Sequence, residues 1–513
     1  MIWANFWNLL QALLISALRQ FISNPLFIVA ILFIGLVVAC LFRPHQARSA
    51  LKACLLSSLV ALVFGIMAVE YYYKTHYVGH NDGTLLGSLL TAPVGDDYVP
   101  TLFVDALSCI FLLLTLFIFP FCFVTLRSLP WYRHSKYFCI ALLSMEILLV
   151  LTFTTNDLLY FYVFFESLLI PMFILIGIWG ARERKIKAAY YFFLYTLFGS
   201  LLMLFGIIYV YSCVGSTKYS EILKFAFTAE QQQLIWICFF LAFAVKMPMF
   251  PLHIWLPEAH VEAPTVGSML LASLLLKLGG YGFIRFSIAL FPLGSAYFLP
   301  LVSTMAVLGV LYGSLSTIRQ IDMKRVVAYS SVAHMNLVVL GLFSNTEVGI
   351  SGAIYLMIAH GVVSTALFFC VGVLYDRYHT RLLRYYGGLV TVMPLFCSAF
   401  FAFTLANMSF PGTSNFPGEF FVFLGIFSTN TTTFLLSATS IVLSAIYSIW
   451  LYNRVAFGTL KTKYIDRFSD LTLTEASVLI ALTIPMLVLG ISANIVLIFT
   501  DIAVNDIFYF QTY

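Results

Sequence analysis

The chain has 513 residues, 62% of them hydrophobic and 10% charged, with a mean hydropathy of +0.98. Soluble domains are nearer half apolar and a quarter charged, so an ordinary water-soluble enzyme is excluded. With 27 Lys and Arg against 22 Asp and Glu, the net charge of +5 also excludes a disordered or nucleic-acid-wrapping chain.

Residues 1–24 read as a fifteenth spanning helix or, in the preferred reading, a helix lying on the membrane surface, within an N-terminal extension over 1–25. They lack a basic leading segment and a small-residue cleavage site, so no removable signal is expected. A spanning helix needs about 20 mostly apolar residues. Fourteen segments meet that requirement: 26–42, 51–69, 101–126, 137–154, 157–180, 189–213, 232–256, 265–288, 296–317, 326–344, 348–374, 390–428, 432–456 and 474–500. The 390–428 segment is too long for one straight helix and contains Pro411 and Pro417, so it should break into two halves. The 232–256 segment contains Pro248 and Pro251 and should share that defect. The loop over 70–100 is the longest outside the spans, and TAPVG at 91–95 reads as a turn within it.

Charge placement supports the count. Loops after odd-numbered spans hold twenty of the 27 cations, whereas those on the other side hold Arg19, Lys74, Lys218 and Lys224. By the positive-inside rule both termini then face the outer side, intermembrane or periplasmic. The predicted fold is an all-α polytopic membrane protein with 26–136 as the first three spans, 137–288 and 296–456 as two five-helix repeats, and 457–513 as a loop, last span and tail. The repeat is visible in two intervals: 80 residues from Glu166 to Lys246 and 85 from His334 to Glu419. Each runs from a polar group in an unbroken helix to a charge in a Pro-broken one, and the five spans between copies make them inverted.

The nine cysteines lie almost entirely in apolar runs and form no C-x-x-C pair, so no disulfide framework, cysteine-ligated metal or iron–sulfur site is suggested. The informative residues are polar groups within spans. A mid-bilayer charge costs roughly 2.5–3.5 kcal/mol even on a lenient insertion scale, so it points to function. Glu166 lies in FFESLLIPM, Lys246 in FAVKMPMFPLHIWLP, Lys277 in LASLLLKLGGYGF and Glu419 in PGTSNFPGEFF. His334 lies in AYSSVAHMN, His360 in LMIAHGVVSTALF and Glu146 in LLSMEILLV. The histidines could be packing residues and Glu146 a structural partner. Two acids and two lysines over four spans look more like a relay than a clamp, because buried ion pairs seldom improve on apolar replacements. Lys246 and Glu419 each sit two residues from a proline, where irregular backbone survives only in protein or a water-filled cavity.

These segments, with KMPMFPLHIWLPEAHVEAPTVGSMLLASLLLKLGGYGFIR above all, closely resemble the chain 4 family of proton-pumping NADH:ubiquinone oxidoreductase, respiratory complex I. The resemblance covers about 100–460, and LYDRYHTRLLRYYGGL and PGTSNFPGEF set it apart from other antiporter-like chains. It implies a proton-translocating membrane-arm subunit. Glu166 matches the acid on the fifth helix, Lys246 its partner on the broken seventh, Lys277 the central lysine on the eighth and Glu419 the acid on the broken twelfth, with His334 and His360 between them. It further implies no redox chemistry in this chain, with NADH, FMN, iron–sulfur clusters and ubiquinone in other subunits. Neighbouring antiporter-like chains and membrane lipids would be its partners and the mitochondrial inner membrane its location, or a bacterial plasma membrane. A stand-alone cation/proton antiporter subunit and a non-pumping structural chain remain alternatives.

Overall fold

The computed structural model describes residues 24–74, 102–128, 135–461 and 469–511. The surface helix expected before Asn24 and the turn expected at 91–95 lie outside the described residues. Among those described the chain is helical, with three isolated bridges and no sheet. Eleven helices are long and apolar enough to cross a membrane, and shorter apolar helices occupy Pro25–Leu41, Pro394–Asn407 and Asn494–Asn505.

The principal helices are α1 (Pro25–Leu41), α2 (Ala47–Tyr73), α3 (Ala106–Ser128), α4 (Lys136–Thr154), α5 (Leu158–Trp179), α6 (Lys185–Val214), α7 (Ala229–Lys246) and α8 (Trp255–Glu262). They continue as α9 (Thr265–Ile288), α10 (Leu299–Ile318), α11 (Met323–Leu342), α12 (Glu347–Tyr378), α13 (Pro394–Asn407), α14 (Asn415–Thr429), α15 (Thr431–Ala456), α16 (Leu473–Ile491) and α17 (Asn494–Gln511). Short polar side chains set many of the starts by accepting from free backbone N–H groups. Asp157 caps α5, Asp322 α11, Thr346 α12 and Asn430 α15, while Thr228 with Gln231 and Thr472 with Glu475 form reciprocal capping boxes on α7 and α16.

Both expected breaks are present. The chain leaves α7 at Lys246 and resumes helix at Trp255; it leaves α13 at Asn407 and resumes at Asn415. Three further irregularities differ from expectation. The fifth span is interrupted by a turn at Leu168, because Pro171 has no N–H to offer the carbonyl of Ser167. It is therefore not the unbroken helix its apolar pattern suggested. The eighth contains two π-helical stretches, Leu271–Leu275 and Phe283–Ile288, on either side of Lys277. The segment at 474–500 is two helices rather than one, parted at Ser492 and Ala493, where the Ser492 backbone leaves the helical region.

At the centre lie α9 and α12, both apolar and buried along their membrane-length windows. An all-round apolar helix of this kind needs protein on every side. Helix α12 packs against α9, α11, α14, α16 and α17, and α16 and α17 also reach α3, tying the second half of the bundle to its first helices. On the periphery α6 turns Phe198 and Phe205 outward. The α12–α14 contact is close enough that backbones touch. A Cβ on Gly425 would lie 2.4 Å from the Cα of Gly349, and one on Gly418 would lie 2.9 Å from the Cα of Leu356. Small residues at such crossings let helices approach and pack without a hydrophobic drive. Gly425→Ala should force the helices apart and cost about 1–3 kcal/mol, as overpacking typically does. Its unfolding midpoint in detergent should fall, and Gly425→Leu should fail to accumulate on native gels. Normal accumulation of the leucine variant would show that this contact does not hold α14.

Candidate functional site

Lys246 is the last residue of α7 and is buried. The break beyond it frees backbone carbonyls that water would satisfy in a soluble protein. Here side chains do so: the indole Nε1–H of Trp255 donates to the Val245 carbonyl (2.9 Å), and the Asn336 amide on α11 donates to that of Pro248 (3.1 Å). The Lys246 ammonium has no hydrogen-bond partner and faces the rings of Phe165 (4.6 Å) and Phe192 (5.8 Å). Glu166 on α5 is near enough for each to feel the other's charge, yet no ion pair within 4.0 Å joins them among the described residues. Helix α9 is packed against the break, since a Cβ on Gly279 would lie 2.9 Å from the Cβ of Met247.

Lys277 is fully buried on α9. Its Nζ donates to the Ala272 carbonyl (2.5 Å), within the first π-helical stretch, and lies 2.9 Å from His360 Nδ1 on α12. Two positive charges at that separation repel by about 6 kcal/mol at an effective dielectric of 20. The geometry therefore disfavours both groups carrying charge at once, and suits a hydrogen bond from the lysine to the imidazole nitrogen. The His360 ring is 5.6 Å, centroid to centroid, from that of His334 on α11. His334 Nδ1 in turn lies 3.0 Å from Glu419 Oε1 on α14, two residues after Pro417. Four helices thus place Lys277, His360, His334 and Glu419 in one buried row.

The structure also separates what the sequence could not. Glu146 is fully buried on α4 with both carboxyl oxygens unpartnered, but it faces Cys54 and Cys122 rather than the row. Two residues overlooked in the sequence adjoin the row. The Tyr447 hydroxyl on α15 is 3.5 Å from His334 Nε2, at the limit of a hydrogen bond. His260 on α8 is buried with neither ring nitrogen bonded, and it stacks on Phe368 at 4.5 Å. The histidine in PEAHVEAP was a signal for it; Tyr447 had none.

Both ends of α9 are clamped. Near its start, the buried Arg381 lies 3.6 Å from Glu262 and from Asp322 and donates to the Val261 carbonyl, while Lys324 donates to that of Ala263 (2.9 Å). Together they hold the last turn of α8. Near the other end Arg285 pairs with Asp105, just ahead of α3, and lies over the Tyr219 ring. Burial alone would raise the Asp105 carboxyl, but the Arg285 guanidinium and hydrogen bonding from Ser108 hold it below the ordinary carboxylate value.

Residues 155–446 match the family model for the transmembrane part of NADH:quinone oxidoreductase and Mrp antiporter chains. The chain is 44% identical to NADH-ubiquinone oxidoreductase chain 4 of Chondrus crispus over 476 residues, 92% of this chain and 95% of that one. It is 51% identical to the chain 4 of Marchantia polymorpha over 398 residues, 77% of this chain and 79% of that one. The chain belongs to the NADH-ubiquinone oxidoreductase chain 4 family. Among solved structures, a chain of Thermus thermophilus respiratory complex I with bound NADH matches at a TM-score of 0.79 and 27% identity, covering 94% of this chain and 99% of that one. A chain of the Mrp complex from Dietzia shares the fold at a TM-score of 0.79 and 19% identity, covering 94% of this chain and 98% of that one. Within the chain 4 family, the matched segment holds every residue of the buried row together with Glu166 and Lys246; Glu146 falls before it.

If side-chain donors hold the break at Lys246 open, removing one should be felt at once. Asn336→Ala leaves the Pro248 carbonyl buried and unpaired, a cost of about 1–3 kcal/mol. The expected outcome is a lower unfolding midpoint of the assembled complex. An unchanged midpoint would show that the carbonyl finds another partner.

Proposed function

We propose that this chain is a proton-translocating membrane-arm subunit of NADH:ubiquinone oxidoreductase, moving protons while quinone is reduced in other subunits. Those subunits bind NADH, FMN, iron–sulfur clusters and ubiquinone. The single observation that carries this reading is the buried row Lys277–His360–His334–Glu419, in which titratable groups on four helices follow one another across the bundle. Its partners are neighbouring antiporter-like membrane subunits and lipid. The eukaryotic chain 4 relatives support a mitochondrial inner membrane, and the loop charges support termini on the intermembrane side. The fuller architecture in this reading has fourteen spans, with 137–288 and 296–456 as inverted repeats and the seventh and twelfth spans discontinuous.

The chemistry is proton transfer between fixed groups. A proton on Lys277 Nζ passes to His360 Nδ1, and the imidazole releases its other proton from Nε2. One bridging water or a ring rotation spans the interval to His334, whose Nδ1–H then passes to Glu419. Histidine suits such a step because its ordinary pKa lies near neutrality. On the other side of α9, Glu166 tunes Lys246 from beside it, and Lys277 holds a proton at the centre of the bundle. A stand-alone antiporter chain would use similar groups, and the shared fold with the Mrp chain fits that too. The 44–51% identity with chain 4 relatives favours the oxidoreductase.

Lys246→Ala should remove most of the coupled NADH–quinone activity and proton pumping in reconstituted vesicles, with electron transfer to an acceptor that bypasses quinone unchanged. Lys246→Arg should not restore it fully, because a guanidinium stays protonated and cannot cycle. Glu419→Gln, similar in shape but unable to titrate, should assemble and fail to release protons. Wild-type pumping by either Lys246→Ala or Glu419→Gln would remove that residue from the path.

A further inference from the structure

A cleft of about 840 Å³ opens where the end of α15 meets the 382–387 loop. Arg384, Arg454 and Lys461 line it, together with Tyr385, Trp450 and Phe457, and no carboxylate lines it among the described residues. Arg384 and Arg454 are exposed, and neither forms an ion pair among the described residues. Lys461 is tied to the loop by donating to the Arg384 carbonyl (2.6 Å), and the Gly388 N–H donates to the Phe457 carbonyl (3.1 Å). The basic walls are therefore held in place by backbone contacts. The rim is apolar: Ile321 is 71% exposed and Phe457 55% exposed. Trp450 lies one helical turn before Arg454 on the same face of α15, the position an interfacial indole takes at headgroup depth.

We propose that this cleft binds the phosphate headgroup of an anionic phospholipid, with acyl chains lying over Ile321 and Phe457. Three cations with no carboxylate among the described lining residues call for an anion, and arginine forks match phosphate oxygens in pairs. Free phosphate would satisfy the cations but leave the apolar rim uncovered, and the pocket volume is that of an organic ligand rather than an ion. Basic recesses between membrane helices are known headgroup sites. The inference rests on the chain's membrane setting and is independent of the proton path.

The test uses the intact complex, washed in detergent and weighed by native mass spectrometry. Arg384→Gln with Arg454→Gln should retain one fewer anionic phospholipid per complex, with bound phosphatidylcholine unchanged. Reactivation of the delipidated enzyme by phosphatidylcholine vesicles containing cardiolipin should need several-fold more cardiolipin. Arg182→Gln with Arg184→Gln, which removes the same charge from an exposed loop, should leave the anionic-lipid count of the assembled complex unchanged. Should the double variant fail to assemble, Arg454→Gln alone serves, since that side chain is exposed and in no ion pair among the described residues. An unchanged lipid count overturns the proposal. So does protection of the site by millimolar inorganic phosphate alone, or loss of a neighbouring subunit with every lipid retained.

Discussion

The structure depends on one constraint: a backbone carbonyl that leaves its helix inside hydrocarbon must be given a donor. At the α7 break and in the first π-helical stretch of α9, side chains supply that donor. Trp255 and Asn336 supply Val245 and Pro248 at the α7 break, and Lys277 supplies Ala272 in the π-helical stretch of α9. Backbone irregularity and buried charge are thus one arrangement. The widened turn of α9 gives the Lys277 ammonium a carbonyl it could not have in a regular helix, and that bond aims its other face at His360.

The two sides of α9 are connected differently. Toward α14 the row is continuous to within hydrogen-bond distance at both ends, with one gap between imidazoles. Toward α5, Lys246 has aromatic faces in place of a carboxylate. A cation–π contact returns about 0.5–2 kcal/mol, less than the several kcal/mol that burying an unpaired ion costs. Lys246 is therefore the least compensated cation near the row, and a small shift of Glu166 on its Pro-kinked helix would change its environment most. The turn at Leu168, directly after Glu166 and Ser167, is where such a shift has least helix to oppose it.

Rigid supports surround this mobile chemistry. Arg381, Lys324, Glu262 and Asp322 hold the end of α8, and the Arg285–Asp105 pair holds the far end of α9. The glycine contact between α12 and α14 seats the helix that carries Glu419. The cleft beside α15 lies on the same end of the bundle as the Arg381 group, because Asp322 bridges to Leu382, next to Arg384. A lipid headgroup there would brace the loop that follows Arg381.

The sequence by itself determined the membrane class, the helical fold, the two proline breaks and the short roster of buried charges. Those follow from hydropathy and from proline's missing N–H, which are local properties. It also carried Pro171, whose effect on the fifth span an apolar count passes over. What only the tertiary structure decided was which charges meet. Lys277 finds His360, 83 residues away, because α9 and α12 cross at the centre of the bundle. Glu146 looked much like Glu166 along the chain but faces Cys54 and Cys122, because the azimuth of a side chain on a uniformly apolar helix leaves no trace in its periodicity. The expected partners Glu166 and Lys246 stand near without touching. Contact distance is set by how α5, α6 and α7 pack together, and no spacing along the chain encodes it.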